Sequence, residues 1–236
     1  MSLVQRLDKL WYPNHEHAWD AKNFRERILE KVSSDMALLD VGSGRGAEPA
    51  MNFRDIAKKV YGADIDPAAM DNPYLDEVML FQDGKLPKLE DATIDLAFSC
   101  NVWEHVADPK PFLKEVNRVL VQGGLFLAKT PNFWHYMPII AHLTPHWFHV
   151  YYNKLRGRNV VDTFPTVYAL NTYKDIQSHA EENGYEVLYI EAEEGRPEYL
   201  RISAFTYVFG YLYERAVNLL GLNSLKVVYY IALRKK

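Results

Sequence analysis

Two groups of residues in this 236-residue chain have the types and spacing for chemistry. The first is MALLDVGSGRG, residues 36–46, together with an acid further on. Gly42, Gly44 and Gly46 alternate after an apolar run that ends in Asp40. Glycines so placed permit a tight turn and let a ligand touch bare backbone. Asp64 lies 18 residues beyond Gly46, in ADIDP. A carboxylate there can accept both hydroxyl hydrogens of a ribose. Asp66, just before Pro67, is the alternative acid, or a turn residue or helix cap. The second group is imidazoles: His105 beside Glu104, then His135, His142, His146 and His149. An imidazole can take the proton of a hydroxyl nucleophile as that nucleophile attacks.

The elements that must position these residues are readable from pattern. Met36–Val41 reads as a buried parallel strand. Ala47–Lys59 reads as a helix with Pro49 in its first turn. Strand, glycine loop and helix N-terminus together suit a nucleotide-like ligand. Gly42, Gly44 and Ala47 also satisfy the G-x-G-x-x-G/A dinucleotide pattern, so this stretch alone leaves the cofactor open. Lys59–Asp64 is a second strand and Val78–Phe81 a third, followed by Asp83 and Gly84. Asp83 is either an acceptor for an adenine amino group or the centre of an Asx turn. Thr93–Cys100 is a fourth strand, leading into Asn101, Val102, Trp103, Glu104 and His105. His105 is the first candidate base; the other reading is that Glu104 and His105 open a helix. Pro109–Val121 is that region's helix, with Gly123 as its stop. Gly124–Lys129 is a fifth strand. Upstream, Phe24, Ile28, Leu29 and Val32 recur at helical spacing over residues 20–32.

Composition narrows the class. The hydrophobic content of 48% supports a real core. Net charge is −4 with no basic run, which disfavours a nucleic-acid partner. Cys100 is the sole cysteine, so no internal disulfide or cysteine-based zinc site can form. The stretch MSLVQRLDKLWYPN has no long apolar core or small-residue cleavage signature, and no segment reaches the roughly 18 apolar residues of a span. The expectation is a cytoplasmic protein without a transmembrane segment.

Three additions surround the strand pattern. Residues 1–33 carry an aromatic segment, residues 1–19, expected to pack over the site or against the body, and then a helix. Residues 133–172 read as a substrate lid rich in Trp, Tyr and His. Thr144 and Pro145 would start a helix there, with His146 and His149 on one face. No acid nearby completes a metal site. Thr172–Asp175 resembles a capping box for a helix ending at Asn183–Gly184. Residues 192–225 hold an apolar stripe: Phe205, Val208, Phe209, Leu212, Ala216 and Leu220. It reads as packing or a homodimer contact; peripheral membrane contact is possible but not favoured, because basic residues are few.

The ordered series LLDVGSGRG, ADID, FQDG, IDLAFSCNVWEHV and VLVQGGLFLAKTPN resembles the class I S-adenosylmethionine-dependent methyltransferases, in their broad small-molecule branch. The resemblance covers roughly residues 36–132. It implies an α/β fold: a three-layer, doubly wound, seven-stranded sheet, mostly parallel with an antiparallel last strand. Tyr185–Glu191 and Lys226–Leu233 would be its last two strands. It implies S-adenosylmethionine as cofactor and a small-molecule acceptor. Asp40 and the backbone through Gly42, Ser43, Gly44 and Gly46 would hold the methionine part. Asp64, with Ile65 beside it, would hold the ribose; Asp83 and Gly84 would flank the adenine. The backbone at Asn101 and Val102 would accept from the ammonium group. Asn101 stands where a metal-binding branch has an acid, so no metal is expected. An Asn/Asp-Pro-Pro-aromatic motif is lacking, which argues against nucleobase methylation. The leading expectation is O-methylation of a small or glycan-like molecule, with His105 and His135 as candidate bases. An NAD(P)-dependent oxidoreductase and a non-catalytic S-adenosylmethionine-binding protein are the alternatives.

Overall fold

The computed structural model describes residues 1–144 and 165–236, apart from the side chains of Ala141 and His142. His146, His149 and the rest of the proposed lid helix lie outside the described residues. In chain order the helices are α1 (Leu3–Trp11), α2 (Trp19–Leu29), α3 (Pro109–Val119), α4 (Tyr136–Leu143), α5 (Tyr173–Glu182) and α6 (Ala204–Leu219). The strands are β1 (Ala37–Val41), β2 (Lys59–Asp64), β3 (Glu77–Leu80), β4 (Ile94–Cys100), β5 (Leu120–Pro131), β6 (Tyr185–Glu193) and β7 (Val228–Lys235).

The strands form one seven-stranded sheet in the order β3-β2-β1-β4-β5-β7-β6. The pairs β1–β2, β1–β4, β2–β3 and β4–β5 are parallel. Asn132 N–H reaches Val227 O at one end of β5, and Lys235 Nζ reaches Leu120 O at the other, so β7 runs antiparallel. This is the mostly parallel, Rossmann-like arrangement the sequence implies. The strand order reverses between β1 and β4, which is where ligands enter sheets of this kind. β1 and β4 sit centrally, and their Leu38, Leu39, Leu96, Ala97 and Phe98 are fully buried, as near-continuous apolar runs require.

Two compact units divide the chain. One holds Asp20–Thr130, Thr166–Glu191 and Tyr229–Lys236, and so nearly all of the sheet. The other holds Met1–Trp19, Pro131–Pro165 and Ala192–Val228. The N-terminal addition, read as residues 1–33, is thus shared between them at Trp19.

Several boundaries differ from the sequence reading, each for a local reason. The helix expected over Ala47–Lys59 is a single 3-10 turn, Pro49–Met51. Asn52 leaves the helical region, and its Oδ1 accepts from Arg54 N–H, an Asx turn that competes with helix. α3 stops at Val119, not Val121, because Leu120 already pairs with Ile94. Gly123 (φ 77°) therefore lies in the irregular start of β5 and is not a helix stop. The Thr172 cap is present: its hydroxyl oxygen accepts from Asp175 N–H, and α5 ends at Asn183 before Gly184 (φ 83°). The 205–220 stripe is not packed inward. Phe205, Phe209, Leu212 and Leu220 are exposed, while Tyr207, Gly210, Glu214 and Val217 form the buried face.

Candidate functional site

The glycine loop leaves β1 at the strand-order reversal and is stitched to β2. Gly42 N–H and Ser43 N–H both donate to Ala63 O, at 2.7 and 3.3 Å. Gly44 N–H donates to Asp64 Oδ2 at 2.8 Å. Asp64 Oδ1 accepts from Asp66 N–H at 2.9 Å, so the carboxylate at the end of β2 organises both loops. Each of its oxygens keeps a second lone pair for a further donor. Asp66 acts locally, capping the 3-10 turn Pro67–Asp71 by accepting from Ala68 N–H.

Steric facts fix why glycines stand here. A Cβ on Gly42 (φ 77°) would lie 2.3 Å from Val102 Cγ2, so the loop after β1 packs directly on the loop after β4. A Cβ on Gly46 would lie 2.7 Å from Asn72 Oδ1. Around Gly44 (φ 50°) nothing lies within 4 Å of such a Cβ. Gly44 is therefore the one of the three whose added side chain would enter open space, the space a ligand against bare backbone would use. Asn72 is a residue the sequence reading missed. Its Nδ2 donates to Ser43 O and Gly44 O, at 2.9 and 3.2 Å, while its Oδ1 accepts from Tyr74 N–H. The available signal was an Asn-Pro pair after a capped turn, which marks an Asx turn without naming its target.

The electrostatics are as particular as the sterics. Asp40 is buried, and burial together with the neighbouring Asp64 carboxylate pushes its pKa up to about 8. Ser43 turns its hydroxyl inward, buried and without a hydrogen-bond partner, toward the space a Gly62 Cβ would need. Its backbone N–H and C=O are both engaged within the protein.

Three further stretches border this edge of the sheet. Phe81 N–H donates to Asp64 O, carrying the chain from β3 into a two-residue hairpin turn in which Gln82 and Lys85 exchange backbone hydrogen bonds. Asp83 (φ 48°) and Gly84 (φ 72°) are its exposed tip, the backbone signature of a type I′ turn. Ile65 is 73% exposed, an unusual place for a large apolar side chain unless something flat covers it. Asn101 (φ 57°) turns the chain sharply after β4 and donates its N–H to Lys129 O.

Glu104 and His105 lie in the 3-10 turn Trp103–His105 and do not open a helix: α3 starts at Pro109 with Asp108 as its cap. Glu104 is buried, which raises its pKa, and Oε2 accepts from Thr130 Oγ1 at 3.1 Å. Asn171 Nδ2 donates to the same hydroxyl at 2.8 Å. Glu104 O accepts from Val167 and Tyr168 N–H, so this residue ties residues 167–171 to the loop after β4. His105 follows it, half-buried.

His135 belongs to the other unit and is 1% exposed. It is the cap of α4, with Nδ1 accepting from Met137 N–H at 3.4 Å. Burial lowers its pKa to about 3. Its Nε2 lies 3.6 Å from Oε2 of Glu194, a carboxyl that burial raises to about 8. The pair is a contact between two neutral groups at pH 7, and the geometry gives His135 the part of a buried helix cap. Among the described residues no cluster of three or more His, Cys, Asp or Glu could hold a metal ion.

Residues 39–128 match the family described as a methyltransferase domain. A Mycolicibacterium smegmatis protein named as a probable S-adenosylmethionine-dependent methyltransferase is 30% identical over 133 residues, 53% of this chain and 47% of that protein. The 2-methyl-6-phytyl-1,4-hydroquinone methyltransferase of Synechocystis is 24% identical over 145 residues, 55% of this chain and 45% of the enzyme. The chain thus spans about half the length of the curated relatives it matches. Among solved structures, the geranyl diphosphate C-methyltransferase of Streptomyces coelicolor superposes with a TM-score of 0.55 at 14% identity, covering 92% of this chain and 76% of that one. The [4+2]-cyclase SpnF superposes at 0.58 and 14% identity, covering 94% and 83%, so the fold by itself does not specify a reaction. Residues 39–128, which hold the glycine loop and central strands, are thus similar to a methyltransferase domain, and the sheet has the Rossmann-like arrangement of that fold.

Proposed function

We propose that the chain transfers a methyl group from S-adenosylmethionine to a hydroxyl of a small-molecule or glycan-like acceptor. The observation that carries this reading is what the glycine loop has left to offer. A dinucleotide needs N–H donors for its pyrophosphate, ordinarily from this loop and a following helix. Here the N–H groups of Gly42, Ser43 and Gly44 are bound to Ala63 and Asp64, and a 3-10 turn stands in place of the helix. Beside these engaged N–H groups stand two acids, buried Asp40 and Asp64 with its spare lone pairs, while the loop's Arg45 faces Asp66 at 3.9 Å. That set suits a ligand with an ammonium group and ribose hydroxyls better than one with phosphates.

S-adenosylmethionine, when bound, supplies an electrophilic methyl group on a sulfonium. In the proposal, Asp40 and the loop from Gly42 to Gly46 hold its methionine part, Ser43 through backbone position alone. Asp64 accepts from the ribose, Ile65 covers the adenine, and Asp83 with Gly84 borders it. Asn101 and Val102 offer backbone acceptors to the ammonium. The protein's contribution to rate is then alignment of nucleophile and methyl group. A hydroxyl nucleophile also needs its proton removed, and in this reading His105, in the turn after buried Glu104, takes it.

Calorimetric titration with S-adenosylhomocysteine and with NAD tests the cofactor. Binding of the first alone is expected; binding of NAD alone would overturn the proposal. Incubation with S-adenosylmethionine and a panel of hydroxylated acceptors, read as S-adenosylhomocysteine release, tests the reaction. With an acceptor in hand, His105→Ala should cost about 10²–10⁴ in turnover while leaving S-adenosylhomocysteine affinity unchanged. Undiminished turnover would remove His105 from the chemistry.

A further inference from the structure

We propose that α1 and α6 form a docking surface for an anionic lipid bilayer, an inference independent of the methyl-transfer reading. The helices pack on each other through aromatic rings: Trp11 stacks on Tyr211 with centroids 4.1 Å apart, and Tyr207 lies 5.7 Å from Trp11. Their acids are turned inward and satisfied. Asp8 accepts from the Tyr207 hydroxyl and pairs with Arg196 and Arg201. Glu214 accepts from Tyr12 and from Asn218, at 2.9 and 2.6 Å. The usual order of an amphipathic helix is thereby inverted, with hydroxyls and carboxylates inside.

The outward side of α6 is apolar along its whole length. Phe205, Val208, Phe209, Leu212, Ala216 and Leu219 recur at three- and four-residue spacing, all exposed, with Phe205 at 73% and Leu219 at 83%. Phe205 and Phe209 rest edge-to-face on each other in the open, 4.9 Å apart. α1 adds exposed Leu3 and Leu10. The exposed charges on these two helices are Arg6, Lys9 and Arg215, all cationic, in a chain whose net charge is −4; Arg215 is paired with Glu214 at 3.1 Å, which leaves Arg6 and Lys9 as the cations without an ion pair among the described residues. Exposed apolar side chains flanked by cations, with no exposed acid on the same helices, are what an anionic lipid surface attracts. A self-complementary contact between two copies would set these cations against like charges, with no exposed acid on either helix to pair them. Among the described residues no helix is long and apolar enough to cross a membrane, so the contact is one of lying on the surface.

Sedimentation of the full chain with large vesicles tests this. Vesicles of phosphatidylglycerol mixed equally with phosphatidylcholine should carry the protein into the pellet, and carry less of it as salt rises. Pure phosphatidylcholine vesicles should retain little. The double variant Phe209→Glu, Leu212→Glu should lower partition by at least about tenfold. Both sites are exposed, so far-ultraviolet circular dichroism should be unchanged. Leu29→Glu, an exposed leucine on α2, should leave partition as it was. Failure of the unaltered protein to sediment with the anionic vesicles at low salt overturns the proposal. So does self-association by analytical ultracentrifugation that the double variant abolishes without any vesicle binding, which would assign the surface to a second copy.

Discussion

Asp40 and Glu194 are both carboxyls that burial and a second carboxylate raise to about 8, yet they stand in different units of the chain and beside different neighbours. Asp40 lies in the sheet unit with a second carboxylate, Asp64, adding to its pKa, beside a glycine loop whose own N–H groups are taken. Like charge next to buried charge is unfavourable, and an arriving cation relieves it. Glu194 lies in the helical unit against a neutral histidine and accepts from Gly195 N–H. Glu214 adds to the shift there as Asp64 does at Asp40, and Glu194 Oε2 is buried without a hydrogen-bond partner among the described residues. The same shift in pKa therefore does not by itself mark a site: Asp40 precedes the glycine loop in which Gly44 borders open space, and Glu194 lies against His135.

The glycines offer the largest test of that distinction. Gly42→Val should destabilise the fold by about 3 kcal/mol or more, since the side chain meets Val102 and the backbone is left-handed. Urea or thermal unfolding reads this directly. Gly44→Val should behave differently. Its side chain meets no protein atom, so the fold should lose only about 1–2 kcal/mol to the left-handed backbone. S-adenosylhomocysteine affinity should nevertheless fall by at least about a hundredfold, or 2.7 kcal/mol. A folded Gly44→Val protein that binds normally would mean the open space is not the ligand's.

The sheet unit is legible because its residue types follow position. Apolar runs bounded by glycine and acids mark β1, β2 and β4 to within a residue, and Asp64 falls where a second strand ends. The Ala47–Lys59 helix misleads because Pro49 suggests a helix start and the Asx turn at Asn52 leaves little trace in hydrophobic pattern. Asn72 escapes because its value lies in two carbonyls distant in sequence. The helical unit misleads more deeply. A stripe of Phe and Leu at helical spacing ordinarily faces a core. Nothing in spacing alone says that Tyr207 and Glu214 take the inside, since that depends on Asp8, Arg201 and Tyr12, which come from elsewhere in the chain.

The two acids after β2 give a smaller effect. Asp64→Ala removes the acceptor for Gly44 N–H along with the proposed ribose partner, and should weaken S-adenosylhomocysteine by about 1–3 kcal/mol. Asp66→Ala removes a cap and a long, largely exposed pairing with Arg45 at 3.9 Å, and should cost stability by about 1 kcal/mol, with affinity little changed. The reverse pattern would transfer the ribose to Asp66.

The smallest effect returns to Asp40 and Glu194. At pH 7 the ligand-free Asp40 carboxyl is mostly protonated, its pKa raised from 3.8 to about 8. In the proposed site the ammonium of S-adenosylhomocysteine favours the ionised form and lowers that pKa in the complex. Between the two values the complex holds fewer protons than the free protein. Binding therefore releases up to one proton at pH 7, and affinity rises with pH by at most about tenfold per unit, levelling off above about pH 8. The folded, ligand-free protein holds the proton that the unfolded chain gives up, so this group's contribution to stability declines as pH rises from about 4 to 8. Added S-adenosylhomocysteine should offset that decline. Titration calorimetry at pH 7 in two buffers of different ionisation enthalpy counts the released proton. Asp40→Asn should abolish both the release and the pH dependence of affinity. Glu194→Gln removes a carboxyl with the same raised pKa and should change neither. If Glu194→Gln silences the proton release and Asp40→Asn does not, the distinction between the two acids is inverted, and the cofactor's cation belongs beside Glu194.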